Sequence, residues 1–143
     1  MNQETTRTSI PVHQFTILLS ATRRGARLAR LLTGEQLRSQ GLPFEAAEQI
    51  VAELASNAAL HGQVPGRSFR LTLKVTEAAT LRIEVTDARV DRSPPADIQL
   101  PPACAESGRG LFLVAALADR WGTERSSPLC KTVWSEINVS API

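Results

Sequence analysis

The sequence predicts an α+β fold, in which largely antiparallel strands are covered on one face by helices. Three stretches carry that prediction. Pro43 to Gly62 reads as helix from start to stop. Phe69 to Val75 and Leu81 to Thr86 alternate apolar and polar residues across a short Glu77–Thr80 link, the pattern of an antiparallel hairpin with one covered and one wet face. Leu111 to Trp121 returns to helical spacing directly after a glycine pair.

Taken in order, residues 1–12 form a loose, flexible lead-in, and residues 13–143 read as one domain. His13 to Ser20 is short, apolar and preceded by Pro11, which suits a first strand. Thr22 to Gln40 reads as a helix with Ala26, Leu28, Leu31, Leu32 and Leu37 as its apolar positions. Gly34 weakens that helix and allows a break. Gly41-Leu42-Pro43 connects to the next helix. Pro43 suits a first helical position, Glu45 and Glu48 favour the positive N-terminal end, and Gly62 suits a left-handed exit. Its apolar arc is Phe44, Ala47, Ile50, Val51, Leu54 and Ala58.

Gln63 to Gly66 is turn chemistry. In the hairpin, Phe69, Leu71, Leu73 and Val75 face the same way, as do Leu81, Ile83 and Val85. Residues 88–107 hold four prolines and no periodicity, the mark of a functional lid or loop. The helical run after it comprises Leu111, Val114, Ala115, Leu117, Ala118 and Trp121. Trp121 to Arg125 also reads as a strand, Ser126-Ser127-Pro128 as a turn, and Cys130 to Val139 as the last strand.

Composition excludes more than it identifies. The 143 residues suffice for a core without disulfides or metals, and 43% hydrophobic with 21% charged residues is ordinary for a soluble domain. A net charge of +2, with no basic run or aromatic platform, argues against direct nucleic-acid binding. Arg23, Arg24, Arg27 and Arg30 form the densest basic patch, a solvated or partner-facing helix surface. No apolar run approaches the ~18 residues of a membrane span, and Met1 to Ser9 lacks a signal-peptide core, so the expected location is the cytoplasm without a membrane role. Cys104 and Cys130, with no His or Cys at metal spacing, read as two free thiols.

Three stretches could carry chemistry. Glu53 and Asn57 lie one helical turn apart at the margin of an apolar arc, where a metal-bound phosphate could meet them; a solvated surface pair is the plainer reading. Asp87 shares the inward parity of Leu81, Ile83 and Val85, so it either enters the covered face or caps a turn. Ser107-Gly108-Arg109-Gly110 at a helix start suits an anion, with Arg109 as a phosphate fork, although glycines also serve plain turns. His61 lies in the apolar arc and reads as a packed structural histidine.

Together these residues resemble the GHKL (Bergerat-fold) ATP-binding domain of the histidine-kinase-like ATPases, and within it the single-domain bacterial anti-sigma factor/serine kinase group. Glu53, Asn57, Ala58, His61 and Gly62 match that family's N box. Asp87 falls where its first glycine box begins, Gly108-Arg109-Gly110-Leu111 matches the second, and Lys131-Thr132-Val133 resembles the last-strand motif. The likeness spans about residues 13–139.

It implies a two-layer α/β sandwich of Bergerat type, with a mixed, mostly antiparallel sheet covered on one face by helices. It implies ATP and Mg²⁺ as cofactors, with Asn57 on the metal and Glu53 as general base toward a protein serine or threonine. Asp87 would accept from the adenine amino group, Gly108, Arg109, Gly110 and Leu111 would meet phosphates, and Thr132 would lie beside adenine. The implied partners are a sigma factor, an anti-sigma antagonist and a second copy in a homodimer. The first box departs from Asp-x-Gly-x-Gly, because Asp87 is followed by Ala88-Arg89-Val90-Asp91. The alternative is thus a non-catalytic protein-binding module of the same fold, gated by nucleotide or independent of it.

Overall fold

The computed structural model describes residues 11–61, 67–87, 105–127 and 130–140. The elements run β1 (Pro11–Ser20), α1 (Arg23–Ser39), α2 (Glu45–His61), β2 (Ser68–Thr76), β3 (Thr80–Asp87), α3 (Ala105–Leu117), β4 (Arg120–Ser127) and β5 (Cys130–Asn138). Five strands form one sheet in the order β1-β2-β3-β5-β4. Every neighbouring pair is antiparallel, as expected for a mostly antiparallel sheet, and no parallel pair is present among the described residues. β3 and β4 do point the same way, but β5 is inserted between them.

Central strand β3 turns Leu81, Ile83 and Val85 to one face, where all three are buried. β2 adds Phe69, Leu71, Leu73 and Val75 on the same face, in register through the pairs Leu73–Ile83 and Leu71–Val85. Helix α2 supplies the lid of this core with Ala47, Ile50, Val51, Leu54, Ala55 and Ala58, and it touches β3, β2 and β5 as well as α1 and α3. Fully burying a Leu, Ile, Val or Phe contributes about 1.5–3 kcal/mol, so these facing layers dominate the stability.

Helix α1 is built differently from its sequence reading. Leu28 and Leu31, assigned to its apolar face, are 42% and 49% exposed. The buried stripe is Gly25, Ala26, Ala29, Thr33, Gly34 and Leu37, and these small side chains allow α1 to lie close against α2. Gly34 does not break the helix. It leaves a notch filled by the Glu48 carboxylate of α2, which a Cβ would overlap; Arg30 reaches the same carboxylate at 3.8 Å. Thr33 avoids an unpaired buried hydroxyl by donating to the Ala29 carbonyl at 2.8 Å.

Local chemistry fixes both ends of α1. Thr22 caps its start, accepting from the Gly25 amide at 3.0 Å. At the other end Gly41 takes φ +70°, the left-handed value that glycine adopts without a Cβ penalty. The Gly41 amide donates to the Arg38 carbonyl at 3.0 Å and the Leu42 amide to the Leu37 carbonyl at 2.9 Å, a paired closure that also folds Leu42 onto the core.

Among the described residues no helix covers the sheet's other face, and that face is less wet than alternation suggested. Thr72 and Thr132 are buried there. Arg82 on β3 is the hub. Its guanidinium donates to Glu84 at 2.7 Å, Glu124 at 2.9 Å and Glu136 at 3.1 Å, and lies 4.4 Å from the centre of the Trp134 ring. Burial alone would lower the Arg82 pKa, but the bonds to Glu84 and Glu136 outweigh it and raise it above the usual arginine value. A raised value favours the charged form below it, so Arg82 stays cationic at any pH where the fold is measured.

Further boundaries differ from expectation. Ser126 and Ser127 belong to β4 rather than to a turn, and of the two readings of Trp121 the strand holds, since it lies in β4 and α3 ends at Leu117. Of the lead-in expected at 1–12, Pro11 and Val12 belong to β1, and of the loop expected at 88–107, residues 105–107 belong to α3. Residues 1–10, Gly62 to Gly66 and 88–104 with Cys104 lie outside the described residues. No helix among the described residues is long and apolar enough to cross a membrane.

A Cβ on Gly25 would overlap the backbone carbonyl of Ser20, which cannot swing away as a side chain can. Gly25→Ala is therefore expected to destabilise the fold by about 1–3 kcal/mol, against the roughly 1 kcal/mol gain that helix propensity alone would give. Urea unfolding checks this: a lower midpoint supports the close packing of α1 on the end of β1, and a raised midpoint contradicts it.

Candidate functional site

The candidate site lies at the end of the core where β3 stops. Asp87 is the last residue of β3, opposite Phe69 on β2 and Lys131 on β5. Directly opposed residues share a face of a sheet. Asp87 therefore follows the buried Leu81, Ile83 and Val85 onto the helix-covered side, where it is half-buried. The strand has not ended before it.

Helix α2 arrives at the same end. Its C-terminus at His61 is joined to the start of β2 by a short connection, and Phe69 near that start pairs with Asp87. Glu53 and Asn57, in the C-terminal half of α2, are both half-buried, while Leu54 and Ala58 beside them are buried. A carboxylate and a carboxamide thus sit one above the other at the rim of the core. The backbone of His61 ends α2; its side chain lies outside the described residues.

Gly108, Arg109, Gly110 and Leu111 do not precede α3, as the spacing suggested, but lie within it, since the helix starts at Ala105. Leu111 is half-buried and packs against the core. The side chain of Arg109 lies outside the described residues. Helix α3 packs on α2 and β4, with Val114 fully buried. Its C-terminus is fixed beside the sheet by the Asp119 amide, which donates to the Glu136 carbonyl at 2.9 Å.

Thr132 is not brought to this site. It pairs with Thr86, not Asp87, so it lies on the opposite face of the sheet. There it is 6% exposed, with its Oγ1 2.8 Å from that of Thr86. The residue that β5 does contribute beside Asp87 is Lys131, which the sequence reading left without a role. The missed signal was parity: Lys131, Val133, Ser135 and Ile137 alternate with Thr132, Trp134 and Glu136, and the buried Ile137 identifies the inward set.

Among the described residues, no group of three or more His, Cys, Asp or Glu could hold a metal ion by itself. Asn57 with a neighbouring carboxylate suits a hard cation that takes most of its ligands from water and phosphate. Mg²⁺ is usually bound that way, through one or two protein oxygens, so the donor set fits it in company with a phosphorylated ligand.

The histidine kinase-like ATPase domain family matches residues 19–136. Among curated proteins, none has a sequence that matches the chain. Several solved structures share the fold. One is the RsbU and RsbW domains of Rv1364c from Mycobacterium tuberculosis, with a TM-score of 0.69 and 20% identity over 92% of this chain. This chain covers 34% of that one, about a third of its length. Another is a chain of the SiaB-SiaC complex from Pseudomonas aeruginosa, with a TM-score of 0.61 and 12% identity, covering 96% of this chain and 95% of that one.

The placement of Thr132 gives a direct test. Thr132→Val is expected to cost about 1 kcal/mol of stability through the lost hydroxyl interaction and to leave nucleotide affinity unchanged. Thermal unfolding and an ATP titration of the same variant check both parts. A selective loss of ATP affinity would put Thr132 back in the site.

Proposed function

The chain belongs to the histidine kinase-like ATPase domain family, and on that premise we propose that it binds ATP with Mg²⁺ and phosphorylates a serine or threonine of an antagonist protein. In this reading it acts in the cytoplasm as a homodimeric anti-sigma-type regulator. A sigma factor would compete with the antagonist for it, and phosphorylation would end the competition by lowering the antagonist's affinity.

The observation that carries this is the Glu53–Asn57 pair, half-buried one turn apart on the helix that covers the Asp87 end of the sheet. A pure protein-binding module has no need of a carboxylate beside a metal-binding amide. Asn57 would supply its amide oxygen to Mg²⁺, whose charge would neutralise the phosphates. Glu53 would take the proton from the attacking hydroxyl as its oxygen bonds to the γ-phosphorus and ADP departs with the broken bridge oxygen. Asp87 would accept from the exocyclic amine of the base. Gly108, Arg109, Gly110 and Leu111 would approach the phosphates from α3, their backbone amides near the positive end of the helix. The fold shared with a chain of the SiaB-SiaC complex, itself an assembly of two proteins, supports a protein partner.

One observation favours a second reading. Ala88-Arg89-Val90-Asp91 replaces the glycines expected after Asp87, and without them the backbone is less free to approach a base and hinge. The chain would then be a binding module that does not turn ATP over.

Incubation with MgATP and a purified candidate antagonist, followed by intact mass, separates the two. The wild type is expected to add a phosphate to the antagonist. Glu53→Ala is expected to lose at least about a hundredfold in rate while keeping ATP affinity within about threefold. Undiminished phosphorylation by Glu53→Ala contradicts the assigned base. Partner binding that is indifferent to ATP and ADP, without phosphorylation, supports the binding module.

A further inference from the structure

We propose that Lys131 is a second base-reading residue of the nucleotide site, a cationic donor that works beside the acceptor Asp87. This rests on the nucleotide reading above. The strand register carries it. At the end of β3 one row of residues crosses the helix-facing side of the whole sheet: Leu19, Phe69, Asp87, Lys131 and Arg125, each directly opposite the next. Leu19 and Phe69 are buried, Asp87 and Lys131 half-buried, and Arg125 exposed. The row runs from an apolar wall, through an acid, to two cations at the rim.

Such a row is matched to the edge of a purine. Adenine presents an amino donor next to a ring-nitrogen acceptor, N1. An ionised carboxylate only accepts, so Asp87 can take the amino hydrogen but repels the N1 lone pair. An ammonium only donates, through three hydrogens on a flexible four-carbon stem, and so supplies what the carboxylate cannot. Side chains directly opposite on antiparallel strands start about 4.5–5.5 Å apart at Cβ, a separation from which both groups can converge on adjacent atoms of one ring. Thr132 cannot share this work, because it lies on the other face against Thr86. Phe69 and Leu19 give the row its dry side, which strengthens a charge-assisted bond.

The test compares MgATP with Mg-1-deaza-ATP, in which a C–H replaces ring N1, on the full chain and on Lys131→Met and Lys131→Arg. Calorimetry is expected to show the wild type binding 1-deaza-ATP about tenfold more weakly than ATP, the size of one charge-assisted hydrogen bond. Lys131→Met is expected to bind ATP about tenfold more weakly and to lose the discrimination, and Lys131→Arg to keep it. Both ligands are measured on each protein, so partial misfolding cannot mimic a change in their ratio. Equal wild-type affinity for the two nucleotides overturns the proposal. So does discrimination retained in Lys131→Met, or a rise in its ATP affinity, which would mean that Lys131 merely occupies Asp87. A wild type that binds neither nucleotide fails the nucleotide reading itself, and the role of Lys131 with it.

Discussion

Everything in this structure depends on how α2 lies across β3. Ile50, Val51 and Leu54 meet a strand whose inward side chains are Leu81, Ile83 and Val85, and all six are buried. The core has the density of a solid, so a helix held at that many points cannot slide or roll by even part of a turn. Glu53 lies between Val51 and Leu54 and Asn57 between Leu54 and the buried Ala58, and Asp87 is the next inward position after Val85. Their mutual placement is therefore a by-product of apolar packing. Polar groups too weakly held to position themselves are positioned by the residues between them.

A sheet covered on one side leaves the other to stabilise itself. The charged ladder around Arg82 does this. Single exposed ion pairs contribute little, but Arg82 meets three carboxylates while stacked on Trp134, and Arg120 at 2.6 Å and Lys74 at 3.6 Å join through Glu136 and Glu84. Gly122 on β4 lies against the Trp134 ring, where a Cβ would come within 3.1 Å of it. The network ties β2, β3, β5 and β4 together across the strands. It also leaves the helix-covered face free to be specialised at its end.

Most of this architecture was legible in the sequence wherever periodicity was strong. The arc of α2 and the alternation of the hairpin each have one physical interpretation, and the structure follows both. Reading failed where size and polarity did not indicate burial. On α1 the eye goes to Leu28 and Leu31, yet Gly25, Ala29 and Gly34 are buried because close helix approach selects small residues. On β5 a shift of one residue was enough: choosing Thr132 over Lys131 exchanges the two faces of the sheet. The start of α3 at Ala105 was hidden by the glycines at 108 and 110, which read as a boundary but lie inside the helix.

In the proposed function, one end of the α2–β3 interface is a metal-dependent nucleotide site. It joins a buried apolar wall of Leu19 and Phe69 to half-buried polar groups, Asp87 and Lys131 on the strands and Glu53 and Asn57 on the helix. The most direct measurement is calorimetric titration of the full chain with ATP, with and without Mg²⁺, alongside Asn57→Ala. Such a site requires binding that depends on Mg²⁺ and is lost in Asn57→Ala while the variant stays folded. ATP binding of equal strength in both proteins, or none to the wild type, would contradict it.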